Sequence, residues 1–198
     1  MLQYFVVYKP FQVLAQFTST DNKKCLKDFF DVPKDVYPVG RLDYDSEGLL
    51  LLTNDASLNH KLLNPSFQHK RNYWVQVDGM PTPQALQRLC NGVIITVDGK
   101  KYCTKKCDAS IINQEPNVPL RYPPIRFRKN IPATWITLTL TEGKNRQVRK
   151  MTASVGFPTL RLIRYSIQNL TIENVQPGEM IQLTPSSIYQ KLFYDTHL

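Results

Sequence analysis

The run Gly48-Leu49-Leu50-Leu51-Leu52-Thr53 constrains this chain more than any other segment. Four consecutive leucines leave no polar face, so the run must be covered on both sides, as a central strand is. It is far too short for the roughly 20 apolar residues of a membrane helix, and the chain holds no longer aliphatic run. A chain of 198 residues is long enough to supply that cover, as one large domain or as two lobes sharing a core. The opening MLQYFVVYKP has neither a basic leader nor the apolar length of a signal peptide. A cytoplasmic protein is therefore expected.

Around this strand the pattern predicts a mixture of strands and helices. Residues 4–8 form a β-branched and aromatic run ended by Pro10, a strand. Residues 25–30 have helical spacing and stop before Pro33, and residues 36–39 are extended. Asn54 or Asp55 can cap a helix carrying Leu58, Leu62 and Leu63. Residues 73–77 alternate and end at Asp78-Gly79. Pro83 opens a helix that Asn91-Gly92 closes. Residues 105–112 read as a strand, 115–132 as a long ordered loop, and 135–140 as a half-buried strand. Residues 143–155 form a loop entering a helix, stopped by Gly156 and Pro158. Strands over 160–165 and 180–183 and a helix over 186–194 complete the chain. No regular βαβ period is present, which predicts an α+β fold with a mixed, mainly antiparallel sheet flanked by helices. Residues 1–198 are expected to form a single catalytic domain.

Charge matters once it is located. The chain carries 25 Lys+Arg against 16 Asp+Glu, a net +9. Ten of the basic residues lie between Arg121 and Arg164, where Glu142 is the one acid, so this segment accounts for the whole excess. With Tyr122, Phe127 and Trp135 interleaved, it suits a polyanion, although a solvated basic face has the same composition. Cys25, Cys90, Cys103 and Cys107 contain no C-x-x-C pair, and His60, His69 and His197 show no ligand spacing. No metal site is expected.

Three segments carry groups able to do chemistry. In Gly40-Arg41-Leu42-Asp43-Tyr44-Asp45-Ser46-Glu47-Gly48, three acids and an arginine precede the buried strand. A carboxylate there can act as nucleophile or base if a cation keeps it ionised. It can equally be a polar turn with local backbone hydrogen bonds, and Asp43 with Glu47 also fits glycoside hydrolysis. In Glu142-Gly143-Lys144-Asn145-Arg146-Gln147-Val148-Arg149-Lys150-Met151, a helix starting near Asn145 puts Arg146, Arg149 and Lys150 on one face. Val148, Met151 and Val155 form the core stripe. Cations at a helix N-terminus oppose its dipole, a local cost that an anion would relieve. In Arg71-Asn72-Tyr73-Trp74-Val75-Gln76-Val77, Tyr73 shares a face with Val75 and Val77. It either packs in the core or stacks on a base.

In this order and spacing the three segments resemble the RsuA/RluB/RluE/RluF family of pseudouridine synthases. The Pro-Pro-Ile-Arg-Phe-Arg-Lys loop and GFPTLRLIRYS point to its RluE-like branch. The resemblance covers nearly the whole chain. It implies the pseudouridine synthase fold, with two lobes and a central cleft. It also implies isomerisation of a uridine in large-subunit (23S) ribosomal RNA, with base flipping and no metal or redox cofactor. Asp43 matches the catalytic aspartate, Tyr73 the tyrosine stacked on the target base, and Arg149 the basic partner of the aspartate. Leu162 matches an apolar residue of the base pocket, and Arg41 the position that fills the space left by the flipped base. Arg146, Lys150, Arg126, Arg128 and Arg164 are expected to contact RNA. Relatives often begin with an S4 RNA-binding domain, and none is expected here. Target choice is therefore assigned to the loop around residues 121–129 and to the helix carrying Arg149. The opening Lys9-Pro10-Phe11-Gln12 departs from a glycine that many relatives have there. A monomer with no small-molecule cofactor and no membrane partner is expected. A catalytically silent ribosome-assembly factor on the same fold, and a hydrolase releasing uracil, are the competing readings.

Overall fold

The structure is a computed structural model that describes residues 1–125 and 132–194. In chain order its strands and helices are β1 (Tyr4–Lys9), β2 (Tyr37–Pro38), β3 (Glu47–Thr53), α1 (Ala56–Leu63), β4 (Arg71–Asp78), α2 (Pro83–Asn91), β5 (Ile94–Val97), β6 (Lys100–Cys103), β7 (Asp108–Ile111), β8 (Ala133–Leu140), α3 (Gln147–Ser154), β9 (Thr159–Ile167), β10 (Leu170–Thr171), β11 (Met180–Leu183) and α4 (Pro185–Phe193). The α+β expectation is borne out. β1 pairs antiparallel with β11 and β3, β2 with β3, β10 with β9, β4 and β7 with β8, and β5 with β6, whereas β3 meets β9 in parallel. No described helix is long and apolar enough to cross a membrane. The chain falls into two compact units, residues 1–69 with 163–198 and residues 70–162.

In the first unit the strand order is β11-β1-β3-β9, with β2 on β3 and β10 on β9. All seven residues of β3 are buried, as the leucine run requires. Phe5 pairs with Leu52 and Val7 with Leu50. These four side chains share a core with Val13, Leu26, Phe30 and Val36. Tyr4 alternates to the other face. There its hydroxyl donates to Asp55 Oδ2 at 2.7 Å, and the Tyr189 hydroxyl of α4 donates to the same oxygen at 2.8 Å. Asp55 Oδ1 caps α1 by accepting the Leu58 N–H at 3.0 Å. One buried carboxylate thus ties β1, α1 and α4 together.

In the second unit the order is β4-β8-β7, with β5 and β6 as a separate hairpin. The alternation of β4 is clean: Tyr73, Val75 and Val77 are buried. They pack with Ala85 and Leu89 of α2, Ile95 of β5, Leu138 of β8 and Val148 and Met151 of α3.

Three expectations shift. Residues 25–30 make only a 3-10 turn, Leu26–Asp28, whose start the Asp28 carboxylate caps by accepting the Cys25 N–H at 2.7 Å. The strand expected over 105–112 shortens to Asp108–Ile111 because Lys105 N–H is taken by Glu142 Oε1 at 2.9 Å. The β5–β6 hairpin was not anticipated. Its signal was Asp98-Gly99, whose φ angles of 49° and 77° are those of a two-residue turn of the primed type.

Asp55→Ala removes a helix cap and leaves two tyrosine hydroxyls without their acceptor, and is expected to cost about 3 kcal/mol. Urea unfolding should show a lower midpoint with an unchanged slope. Burial raises the Asp55 carboxyl, but the hydrogen bonds from Leu58, Tyr4, Tyr189 and Ser57 outweigh it and hold it below its ordinary 3.8. The Asp55 contribution is therefore complete above that pH and fades as pH falls further, a loss the variant cannot show.

Candidate active site

Asp43 opens a turn, residues 43–46, closed by the Ser46 N–H on its own carbonyl at 3.1 Å. Leu42, only 8% exposed, anchors the turn in the core of the first unit and leaves Asp43 half-buried. Glu47, 2% exposed, begins β3. Gly48 has φ of 103°, and a Cβ there would collide with the Arg164 carbonyl and stand 2.8 Å from its nitrogen. The glycine allows β3 and β9 to pair in parallel, Glu47 opposite Ile163 and Gly48 opposite Arg164. The Arg164 side chain then folds over β3, its Nε donating to Leu49 O at 2.8 Å.

Lys9 sits on the same ground. It is 0% exposed, and its Nζ donates to Pro10 O at 2.9 Å and Val13 O at 2.7 Å. Burial pushes its amine down to about 7, against the pull of Glu47, Asp45 and Asp43, while Arg164 adds to the downward push. Three acids thus share a neighbourhood with a buried lysine and a buried arginine. The strand reading of residues 4–8 missed Lys9 as a site residue; its signal was a lysine directly between an apolar strand and a proline.

In the second unit, Tyr73 is 9% exposed at the start of β4 and packs in one cluster with Leu162, Val148 and Met151. The structure therefore brings Tyr73, Leu162 and the apolar face of α3 together. The helix begins later than expected. Arg146 is its N-cap, in the left-handed conformation at φ 53°, so it does not share a helical face with Arg149 and Lys150. Arg146 is exposed, and Arg149 and Lys150 are half-buried in the first turn, which holds no acid.

Glu142 positions that turn. It is 7% exposed. It accepts from the Tyr102 hydroxyl, from Lys105 N–H at 2.9 Å and from Gln147 Nε2 at 2.6 Å. Gln147 Oε1 in turn accepts the Lys144 N–H at 2.9 Å. Burial raises the Glu142 carboxyl, but those hydrogen bonds and the Lys105 charge hold it below its ordinary 4.5. Sequence reasoning passed over Glu142 as a site residue, although being the one acid in so basic a segment was the signal. Of the remaining candidates, Arg41 is exposed and Arg164 is 5% exposed. Arg126 and Arg128 lie outside the described residues.

Residues 3–154 match the model of the RNA pseudouridylate synthase family. The chain belongs to that family. Relatives named ribosomal large subunit pseudouridine synthase E are 50% identical over 171 residues in Vibrio parahaemolyticus and 47% identical over 173 in Xanthomonas campestris. These alignments span 86% of this chain in both cases, and 69% and 90% of the relatives. A Bacillus subtilis ribosomal large subunit pseudouridine synthase B is 33% identical, over 93% of this chain and 69% of its own. Among solved structures, a pseudouridylate synthase crystal structure superposes with a TM-score of 0.77 at 27% identity. It covers 97% of this chain and 74% of that one. The resemblance seen in the motifs, and the α+β pseudouridine synthase fold it implied, are borne out.

Two substitutions test the supports of this family site. Gly48→Ala should lower Tm by several degrees and reduce turnover, because the new methyl meets strand backbone that cannot move aside; differential scanning calorimetry and a turnover assay on the same sample check it. Glu142→Gln keeps the volume but faces Gln147 with an amide in place of a carboxylate. A loss of about 2 kcal/mol is expected at pH 7, shrinking as pH falls below 4.5, where the unfolded chain's carboxylate takes up a proton before the folded one does.

Proposed function

We propose that this chain isomerises a specific uridine of large-subunit (23S) ribosomal RNA to pseudouridine, with Asp43 as the essential carboxylate acting on a flipped nucleotide. The observation that carries the reading is the family match over residues 3–154, which includes Asp43. The relatives named for large-subunit pseudouridine synthesis support the substrate class. The acid turn beside the buried Lys9 and Arg164 supports the role of Asp43.

The reaction breaks the N1–C1′ bond, turns the base and forms the C5–C1′ bond. The hydrogen on C5 leaves and N1 gains one. Atoms and electrons balance within the nucleotide, so no oxidant or reductant takes part. A stacked uridine hides its glycosidic bond, which makes flipping a physical requirement. Asp43 handles the glycosidic step. Tyr73 stacks on the base and its hydroxyl serves proton removal at C5, while Leu162 forms the apolar wall beside it. Arg149 supports the charge of the aspartate. Arg41 takes the space that the base vacates, Arg146 and Lys150 hold phosphates, and Arg164 positions the acid turn from beneath. Arg126 and Arg128 complete the RNA contact. The enzyme works as a monomeric single domain in the cytoplasm, where its substrate is made.

Asp43→Asn is expected to abolish tritium release from C5-labelled uridine in ribosomal RNA while RNA affinity stays within about threefold. Full release by the variant would overturn the role of Asp43. Release of free uracil by the wild type would instead make the enzyme a hydrolase. Mapping pseudouridine across ribosomal RNA from cells with and without the protein identifies the target; an unchanged map would favour a silent assembly factor.

A further inference from the structure

The β5–β6 hairpin carries charge that the proposed reaction leaves unused. Lys100, Lys101, Lys105 and Lys106 are all exposed, and no acid lies between them. The register Ile95 opposite Tyr102 and Thr96 opposite Lys101 divides the ribbon into two faces. Ile95, Val97 and Tyr102 pack on the core of the second unit. Ile94, Thr96, Lys101 and Cys103 are exposed on the other face, Ile94 at 64%. Among the described residues, Lys100, Lys101 and Lys106 form no ion pair. Like charges at this density repel one another and contribute nothing to folding, whereas a bound polyanion turns the same repulsion into attraction.

The hairpin is also wired to the loop before α3. Glu142 takes both the Tyr102 hydroxyl and the Lys105 N–H. The Lys144 ammonium lies 5.0 Å from the centroid of the Tyr102 ring. Glu142 turns inward, so the loop shows solvent only Lys144, Asn145 and Arg146 beside Gly143. Lys100 and Lys101 alternate to the two faces of the ribbon and Lys105 and Lys106 follow it, so the exposed hairpin carries four ammonium groups and is tied through Glu142 to the loop bearing Lys144 and Arg146. Five of the six are lysines, compact point charges without the planar fork that reads base edges. Such charges suit the phosphodiester backbone and not the sequence.

We propose that the β5–β6 hairpin is an RNA-backbone-binding element, which uses its lysines to hold a phosphate strand adjoining the segment bound near α3. The inference rests on RNA being the substrate. The hairpin supplies affinity and orientation, and leaves the choice of uridine to other residues.

The test uses the full chain and in vitro transcribed large-subunit ribosomal RNA. Lys100→Gln, Lys101→Gln and Lys106→Gln are combined in one variant. Exposed Lys24→Gln, Lys27→Gln and Lys34→Gln, combined in a second, remove the same charge from the first unit. The slope of log affinity against log salt should fall by about 2 in the hairpin variant, since each phosphate contact contributes roughly 0.7 to 0.9. KM for RNA should rise about tenfold. The control should keep the wild-type slope, and Lys→Arg at the three hairpin positions should restore it. An unchanged slope in the hairpin variant, or an equal fall in both variants, overturns the inference, the second outcome because net charge alone would explain it. Either result with an active wild type leaves the pseudouridine reading intact. A wild type that binds RNA through the hairpin but forms no pseudouridine overturns the function and keeps the hairpin.

Discussion

At Gly48 the backbones of β3 and β9 approach so closely that no side chain fits between them, and the acid turn of the first unit depends on that contact. Parallel pairing there lets the Arg164 side chain lie over β3 and bond to Leu49. With Arg164 in place, and Lys9 fully buried nearby, Asp43, Asp45 and Glu47 share their surroundings with two buried basic side chains. The glycine thus connects chain geometry to the basic side chains that surround the acid turn.

Each unit also encloses a buried carboxylate whose work is mechanical. Asp55 collects Tyr4, Tyr189 and the first turn of α1. Glu142 collects Tyr102, Lys105 and Gln147. In both cases several donors compensate a desolvated charge, so removing the acceptor is expensive while the intact network holds separate elements in one geometry. Glu142 fixes where α3 starts, and with it the positions of Arg149 and Lys150 on the helix.

Much of this was legible beforehand. The leucine run announced a strand buried on both faces, and β3 is one. Asp55 was a candidate cap for α1 and is its cap. The buried face of β4 followed from alternation through Tyr73, Val75 and Val77. Where local pattern misled, a non-local bond had intervened. The strand over 105–112 lost its beginning to Glu142, far away in sequence. The shared face of Arg146 with Arg149 and Lys150 vanished because Arg146 turned left-handed at the helix start. The hairpin was legible in Asp98-Gly99 and was passed over.

The sequence by itself determined which residue types stand in which motifs, and hence the family, the α+β class and the candidacy of Asp43, Tyr73 and Arg149. Those are matters of local spacing and residue chemistry. Only the tertiary structure decided that Lys9 and Arg164 are buried beside the acid turn, that Glu142 is the anchor of α3, and that Glu142 and Lys144 join the β5–β6 hairpin to the loop before α3. Burial and hydrogen-bond partnership arise from segments that meet in space after long intervals of chain. No periodicity within one segment carries that information.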